Sequence, residues 1–230
     1  MYGFLNKIDK LNKDFACKSP DVIINQCITK LFKKKVAYVC SFGSESVVIL
    51  NIISKIDKNT PIIFLNTHFL FHETISYRDM LIKKFGLKNL IETFPTNNDL
   101  KNNDSNNDLW KSNPDRCCHL RKVKPLKKEL KDFDCWISGR KSYHKGDREF
   151  LNIFEIQDNK IVINPLINQD LKSIENYFEE NCLPKHPLIK KNYFSIGCTH
   201  CTSPSKNRSD MRSGRWEHLN KTECGIYNKK

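Results

Sequence analysis

The sequence predicts an α/β fold: a parallel-rich sheet flanked by helices, with a polar C-terminal tail outside the periodic part. Three observations carry this. Short apolar runs, β-branched and aromatic, alternate with longer helical stretches. The runs lack in-and-out alternation, as strands buried on both faces do. Regular periodicity then stops after "LPKHPL" (183–188), where turn residues, basic residues and three cysteines take over. The chain is therefore divided into residues 1–195, an α/β unit with an N-terminal helical cover, and residues 196–230, a cysteine-containing segment and tail.

In chain order, residues 1–35 read as partly amphipathic helix. "VAYVCSF" (36–42) is a first buried strand that breaks into "GSES" before "VVILNIISKI" continues as a helix. "PIIFLN" (61–66) is a second strand, and "HETISYRDMLIKKFG" is a helix closed by Gly86. "NLIETF" (89–94) is a third strand. "TNNDLKNNDSNNDLW" (96–110) is rich in Asn and Asp without periodicity and reads as a poorly ordered surface excursion. "CCHLRKVKPLKKELKDF" is helical and "DCWISGR" is a fourth strand. "EFLNIFEIQDNKIVINPL" is a hairpin turning at Asp158-Asn159, and "DLKSIENYFEENC" is a helix.

Composition bounds the function. No run of 18 apolar residues is present, so no membrane span is expected. The charged N-terminus lacks an apolar h-region and does not read as a signal peptide. A cytoplasmic location with reduced thiols is the expectation. There the ten cysteines read as metal ligands, catalytic thiols or small core residues rather than disulfides. The formal net charge of +13 has two readings, a polyanion such as nucleic acid or drift toward A/T-rich codons. With 31 Lys, 24 Asn and 23 Ile, and with lysines scattered rather than striped, drift is favoured and no nucleic-acid partner is expected.

Against that drift the rare residues stand out. Only 8 Arg occur, and six of them (Arg116, Arg121, Arg140, Arg148, Arg212, Arg215) fall in three short segments near Cys or Gly. Six of the 8 Gly (Gly43, Gly139, Gly146, Gly197, Gly214, Gly225) lie in segments of the same kind. Lys replaces Arg on a solvated surface, but not where a planar fork grips phosphate or sulfate.

Six segments carry chemistry. "SFGSES" (41–46), with Ser41, Gly43 and Ser46, sits where the first strand meets a helix and suits an anion; it is not a P-loop, and an ordinary N-cap is the alternative. "CC" (Cys117, Cys118) and "CTHC" (Cys198, Cys201) give four thiols. By spacing they fit an iron–sulfur cluster, zinc or unliganded cysteines, and adjacent thiolates suit a four-cornered cluster better than one tetrahedral ion. "SGRKSYHKGDR" (138–148) and "DMRSGRW" (210–216) are Arg/Gly loops, each also readable as a solvated basic loop. "KTECGIYNKK" (221–230) places Cys224 and Gly225 in a stretch too polar and short to fold alone. Cys27, Cys40, Cys135 and Cys182 read as core. His68 and His144 stand near ligand-facing loops, while His119 and His200 neighbour the cysteine motifs.

Together these segments resemble the assimilatory sulfonucleotide reductases, specifically the iron–sulfur type that reduces adenosine 5′-phosphosulfate (APS). The resemblance runs from about residue 36 to the end, on "SFGSES", "LNTHFLFHET", "CCHLRKVKPL", "SGRKSYHKGDR", "LPKHPLIKKNYFSIGCTHCT", "RSGRW" and "KTECGIY". It implies an adenine-nucleotide hydrolase-like, Rossmann-like sheet that makes residues 1–195 a nucleotide-binding unit. It implies a [4Fe–4S] cluster on Cys117, Cys118, Cys198 and Cys201, with Lys122 near both cluster and substrate. It implies Ser41, Arg140, Arg148, Arg212 and Arg215 around the nucleotide and its sulfate, and Cys224 as the nucleophile. The implied reaction is thioredoxin- or glutaredoxin-dependent reduction of APS to sulfite and AMP through an S-sulfocysteine. The competing substrate is the 3′-phosphorylated form (PAPS).

The chain departs from the family pattern at three places. Asn66-Thr67-His68 stands where the family usually has Asp-Thr-Gly, Tyr227 stands where it has His, and "PLINQ" lacks a common Trp. The basic surroundings of Cys224 are expected to lower its pKa, and Gly225 is expected to let the tail swing. Two other classes remain for comparison: an adenylating or tRNA-thiolating enzyme on a related fold, and a nucleic-acid-binding zinc module.

Overall fold

A computed structural model describes residues 2–144, 148–217 and 221–227. Gly146, one of the glycines singled out above, lies outside the described residues. Strand β1 (Val36–Val39) is buried at all four positions and lies at the centre of a six-stranded sheet. It pairs in parallel with β2 (Ile62–Leu65) on one side and β4 (Cys135–Ile137) on the other. β3 (Leu90–Thr93) extends the β2 edge, and β6 (Lys160–Ile163) pairs in parallel with β4. β5 (Phe154–Gln157) closes the far edge as the antiparallel arm of a hairpin. Its two turn residues, Asp158 and Asn159, have φ of 49° and 60°, the left-handed pair that short hairpins need.

The order β3-β2-β1-β4-β6-β5 reverses direction at β1, because the chain leaves that strand one way and returns to its other side through β4. Such a reversal opens a crevice at the carboxyl ends of the strands. The sheet's two faces are covered unequally. One packs against α1 (Tyr2–Phe15), α2 (Pro20–Gln26), α3 (Ser46–Ile56), α4 (His72–Phe85) and α9 (Leu171–Glu180) through a large core that includes Ile24, Val48, Ile52, Phe64 and Phe154. On the other, Val39, Ile63, Trp136 and Val162 meet Leu126 and Leu130 at the end of a long helical run, together with Ile226 of the tail.

Two expectations are corrected here. The Asn/Asp-rich excursion is ordered as α5 (Asn97–Asn103) and α6 (Leu109–Ser112), and Asp104 between them is 5% exposed. Its carboxylate accepts from Arg121 Nη2 at 2.6 Å and Nε at 3.1 Å, and Arg121 also donates to the Thr67 carbonyl at 3.0 Å and stacks 4.0 Å over the Phe69 ring. A partner that lies 17 residues along the chain leaves no local periodicity. Cys182, read as core, is exposed, because it follows the end of α9 in a left-handed turn with φ of 46°. Cys27, Cys40 and Cys135 are buried as expected.

Candidate active site

The helical run carrying the first cysteine pair starts at α7 (Pro114–Cys118), where Asn113 caps the Arg116 N–H at 2.9 Å. It passes through a wider π-turn at His119–Val123 into α8 (Lys124–Glu129). The wide turn re-aims the side chains that follow. Cys117 and Cys118 are buried on this run, with Lys122 one turn on. The second pair arrives on the loop after α9, which is pinned by an isolated antiparallel bridge between Leu70 and Cys198.

All four thiols line one small cavity, walled by Thr67, Phe69, Trp110, Arg121 and His200. The Thr67 hydroxyl lies 3.2 Å from Cys198 Sγ, and His200 stacks on Trp110 at 4.2 Å. Among the described residues no three His, Cys, Asp or Glu side chains converge on a single metal-ion position. The four thiols share that cavity. Four soft thiolate donors around one space are the donor type that an iron–sulfur cluster or zinc takes.

A second, larger cleft opens at the crevice beside β1 and β4. Ser41, Gly43 and Ser46 form one wall, at the carboxyl end of β1 and the start of α3. Arg140, Arg148, Arg212 and Arg215 form the others, and Cys224 and Tyr227 close it. Lys122 and Cys198 line both this cleft and the thiol cavity, so the two spaces share a wall. Every residue assigned to substrate contact from the sequence therefore meets in one place. Of the other two clustered arginines, Arg121 is the buried partner of Asp104 and Arg116 is an exposed residue bonded to Asn103.

The tail, expected to be mobile, is docked. Lys221 pairs with Asp115 of α7. Glu223 is forked by Arg148 at 2.5 and 2.9 Å, and the Ile226 carbonyl accepts from Gln157. Tyr227 lies against Arg140, whose guanidinium sits 4.4 Å from the ring, and stacks on Trp136 at 5.6 Å. An aromatic ring thus docks where the family usually has His. Gly225 has a role that the sequence did not suggest: a Cβ there would stand 2.8 Å from Cys118 Cβ, so the tail approaches α7 only because that residue has no side chain. Gly197 similarly leaves space for the Arg215 guanidinium.

The other family departures also have a local account. His68 takes the left-handed conformation (φ 66°) that the family's Gly adopts freely, and its N–H is held by Asn66 Oδ1 at 3.1 Å. Its side chain is exposed and does not line the cleft. His144 does line it, as a neutral ring with its pKa pushed down by burial to about 4.

Charge in the cleft is largely paired. Arg140 meets Glu155 at 2.7 Å, Lys141 meets Glu45 at 2.9 Å, and Arg148 and Arg212 meet Glu223. Burial raises the Glu223 carboxyl, but the Arg148 fork outweighs it and holds the pKa at about 2. Lys122 donates to Cys224 Sγ at 3.6 Å. The expectation of a lowered Cys224 pKa is corrected for this docked arrangement. Its hydrogen bond with Cys118, together with burial, raises the Cys224 thiol against the pull of Lys122. The same hydrogen bond, helped by Lys122 and Lys221, holds Cys118 down at about 6.

Sequence reading passed over Glu45, Glu223, Trp216 and Thr67 as site residues. Trp216 is buried beneath Arg212 and Arg215, at 5.3 and 4.3 Å. An acid two residues after Lys221 and next to Cys224 was the available signal for Glu223.

Comparison with known proteins agrees with this geometry. A family model described as a phosphoadenosine phosphosulfate reductase domain matches residues 35–204. An adenosine 5′-phosphosulfate reductase of Mesorhizobium japonicum is 40% identical over 225 residues, covering 98% of this chain and 89% of that protein. One from Chelativorans sp. is 42% identical over 192 residues, covering 84% and 78%. Among solved structures, a phosphoadenylyl-sulfate (PAPS) reductase from Candida auris in a phosphate complex is similar with a TM-score of 0.72 and 28% identity, covering 85% of this chain and 96% of that one. A yeast FAD synthetase, at 14% identity and a TM-score of 0.53, shares the fold.

Proposed function

Because the chain belongs to the phosphoadenosine phosphosulfate reductase family, we propose that it reduces APS to sulfite and AMP with electrons from a dithiol protein of the thioredoxin or glutaredoxin type. The observation that carries this is the shared wall: Lys122 and Cys198 line both an arginine-lined cleft and a cavity ringed by four cysteines, and Lys122 donates to the Cys224 thiol on the cleft side.

In the first half-reaction the nucleotide lies at the carboxyl end of β1, against Ser41, Gly43 and Ser46, with its sulfate toward Lys122, Arg140 and Arg215. Arg148 and Arg212 complete the basic wall. Cys224 Sγ, as thiolate, attacks the sulfur of APS. The bond from sulfur to the bridging oxygen breaks, AMP leaves with that electron pair, and Cys224 carries the SO₃ group. The fixed cations stabilise negative charge as it moves onto the phosphate oxygen. In the second half-reaction a reductant thiolate attacks Cys224 Sγ and sulfite leaves with the bonding pair. The reductant's second thiol then resolves the mixed disulfide, which supplies two electrons in all.

Cys117, Cys118, Cys198 and Cys201 would hold a [4Fe–4S] cluster, whose donor chemistry they fit. When bound, it would draw the charge of the four thiolates, Cys118 included, and set a fixed field beside Lys122.

Preference for APS over PAPS rests on charge. Among the described residues, Lys122 and Arg215 are the cleft cations without a carboxylate at ion-pair distance. Two such cations match the two charges of APS. A 3′-phosphate adds up to two more negative charges. The test is sulfite release from APS and from PAPS, side by side, with reduced thioredoxin. A higher kcat/KM for APS is expected, and equal or faster turnover of PAPS refutes the preference.

A further inference from the structure

Of the contacts that dock the tail, one joins more of the site than any other. Glu223 is 9% exposed, and two arginines from separate segments grip its carboxylate. Arg148, on the loop after β4, forks it at 2.5 and 2.9 Å, while Arg212, from the basic segment, reaches it at 3.5 Å and donates to the Thr222 carbonyl at 3.0 Å. The carboxylate also turns back and accepts the backbone N–H of Cys224 at 2.7 Å. One side chain therefore connects two walls of the cleft to the peptide group of the reacting residue. Arg148 carries the connection on to His144, 3.2 Å away.

A carboxylate buried against two guanidinium groups is stable only while the pairing is complete, since each charge left alone would be poorly solvated. The contact is therefore close to all-or-none: seated, it fixes the Cys224 backbone; unseated, it leaves the tail held, among the described residues, by the contacts of Lys221, Thr222, Cys224, Ile226 and Tyr227. The bidentate fork adds orientation that a point charge would not.

We propose that Glu223 is a positioning residue for Cys224. Its carboxylate clasps the tail to Arg148 and Arg212 so that the thiol faces Lys122 for the attack on substrate, and the clasp opens when the tail must leave for reduction. Arg148 and Arg212 thereby serve the tail first and the substrate second. This inference rests on the function proposed above and names a residue that the function requires.

The test uses anaerobically prepared holoenzyme with Glu223→Gln, which removes the charge at constant size, and Glu223→Asp, which keeps the charge. Three quantities are read: hydrogen exchange in the peptide spanning 221–227, single-turnover AMP release from APS, and AMP affinity. In the Gln variant exchange is expected to quicken about tenfold or more. AMP release should slow about 10- to 100-fold, the cost of a misplaced reacting atom, while AMP affinity stays within about threefold. The Asp variant should recover part of both losses. Arg148→Gln should reproduce them and add little to Glu223→Gln, as for two halves of one contact. Unchanged exchange and AMP release in the Gln variant would overturn the proposal, leaving Glu223 as a charge neutraliser. AMP binding about tenfold tighter would also overturn it, because Glu223 would then be a plug competing with substrate. The exchange measurement needs no substrate. Faster exchange in the Gln variant, with no AMP released by the wild-type protein, would sustain the clasp and sink the functional reading.

Discussion

Replacing Gly225 by Ala separates two roles for that glycine. As a hinge it supplies backbone freedom, and Ala would alter the tail's energetics by about 0.5–1 kcal/mol. The structure instead assigns it a close approach. The added Cβ would stand 2.8 Å from Cys118 Cβ, whereas carbon atoms in contact prefer about 3.5–4.0 Å. Neither carbon can turn away, because a Cβ is fixed by its backbone. The tail must lift by about 1 Å, or α7 must shift beneath its cysteine pair. Overpacking of this kind costs about 1–3 kcal/mol, and it falls on a docked segment held by few contacts. A displacement of about 1 Å at a reacting atom is worth on the order of 100-fold in rate. The assay is single-turnover AMP release by the anaerobic holoenzyme, with iron content measured on the same sample. Gly225→Ala is expected to keep its iron and lose at least tenfold in rate. A wild-type rate would refute the close-approach argument, and loss of iron would show that α7 yielded rather than the tail.

Three further predictions follow from the surroundings of the site. Asp104→Ala leaves Arg121 buried without its partner and should cost about 3–5 kcal/mol in urea unfolding, with Asp104→Asn milder because it keeps an acceptor. Cys118→Ser removes one of the four donors, and anaerobically purified protein should lose most of its iron and sulfide together, whereas the wild type should hold about four of each per chain. His186 is buried and neutral: its Nδ1 accepts the Leu188 N–H at 3.2 Å, its Nε2 lies 3.2 Å from the Thr74 hydroxyl, and burial pushes its pKa from 6.5 down to about 4. Below pH 6.5 the unfolded chain takes up a proton that the folded chain refuses. Stability should therefore fall between pH 6.5 and about 4 by up to about 3 kcal/mol and level off below, with His186→Gln giving a flatter profile.

The sequence by itself determined the sheet and singled out residues that line the cleft. Val36–Val39, Ile62–Leu65 and Cys135–Ile137 are strands buried on both faces, and such strands need only a short apolar run, a property written locally. The cleft-lining residues stood out by residue type: against abundant lysine, Arg140, Arg148, Arg212 and Arg215 mark planar forks, although Arg116, in the same pattern, is an exposed surface residue. The tertiary structure alone decided how those residues are paired. Asp104 looked like part of a polar excursion because its partner Arg121 reaches it only after the chain turns back. The tail looked free because its partners Arg148, Gln157 and Arg140 lie 69 to 87 residues earlier in the chain. Gly225 reads the same in sequence whether it bends or approaches, and only the position of Cys118 distinguishes the two. Cys224, finally, lies among basic residues, yet its hydrogen bond with Cys118 of α7, together with burial, raises its thiol pKa. Which charges are neutralised, and by which neighbours, depends on distances of a few ångströms between segments far apart in the chain, and Coulomb and hydrogen-bond energies are set by those distances alone.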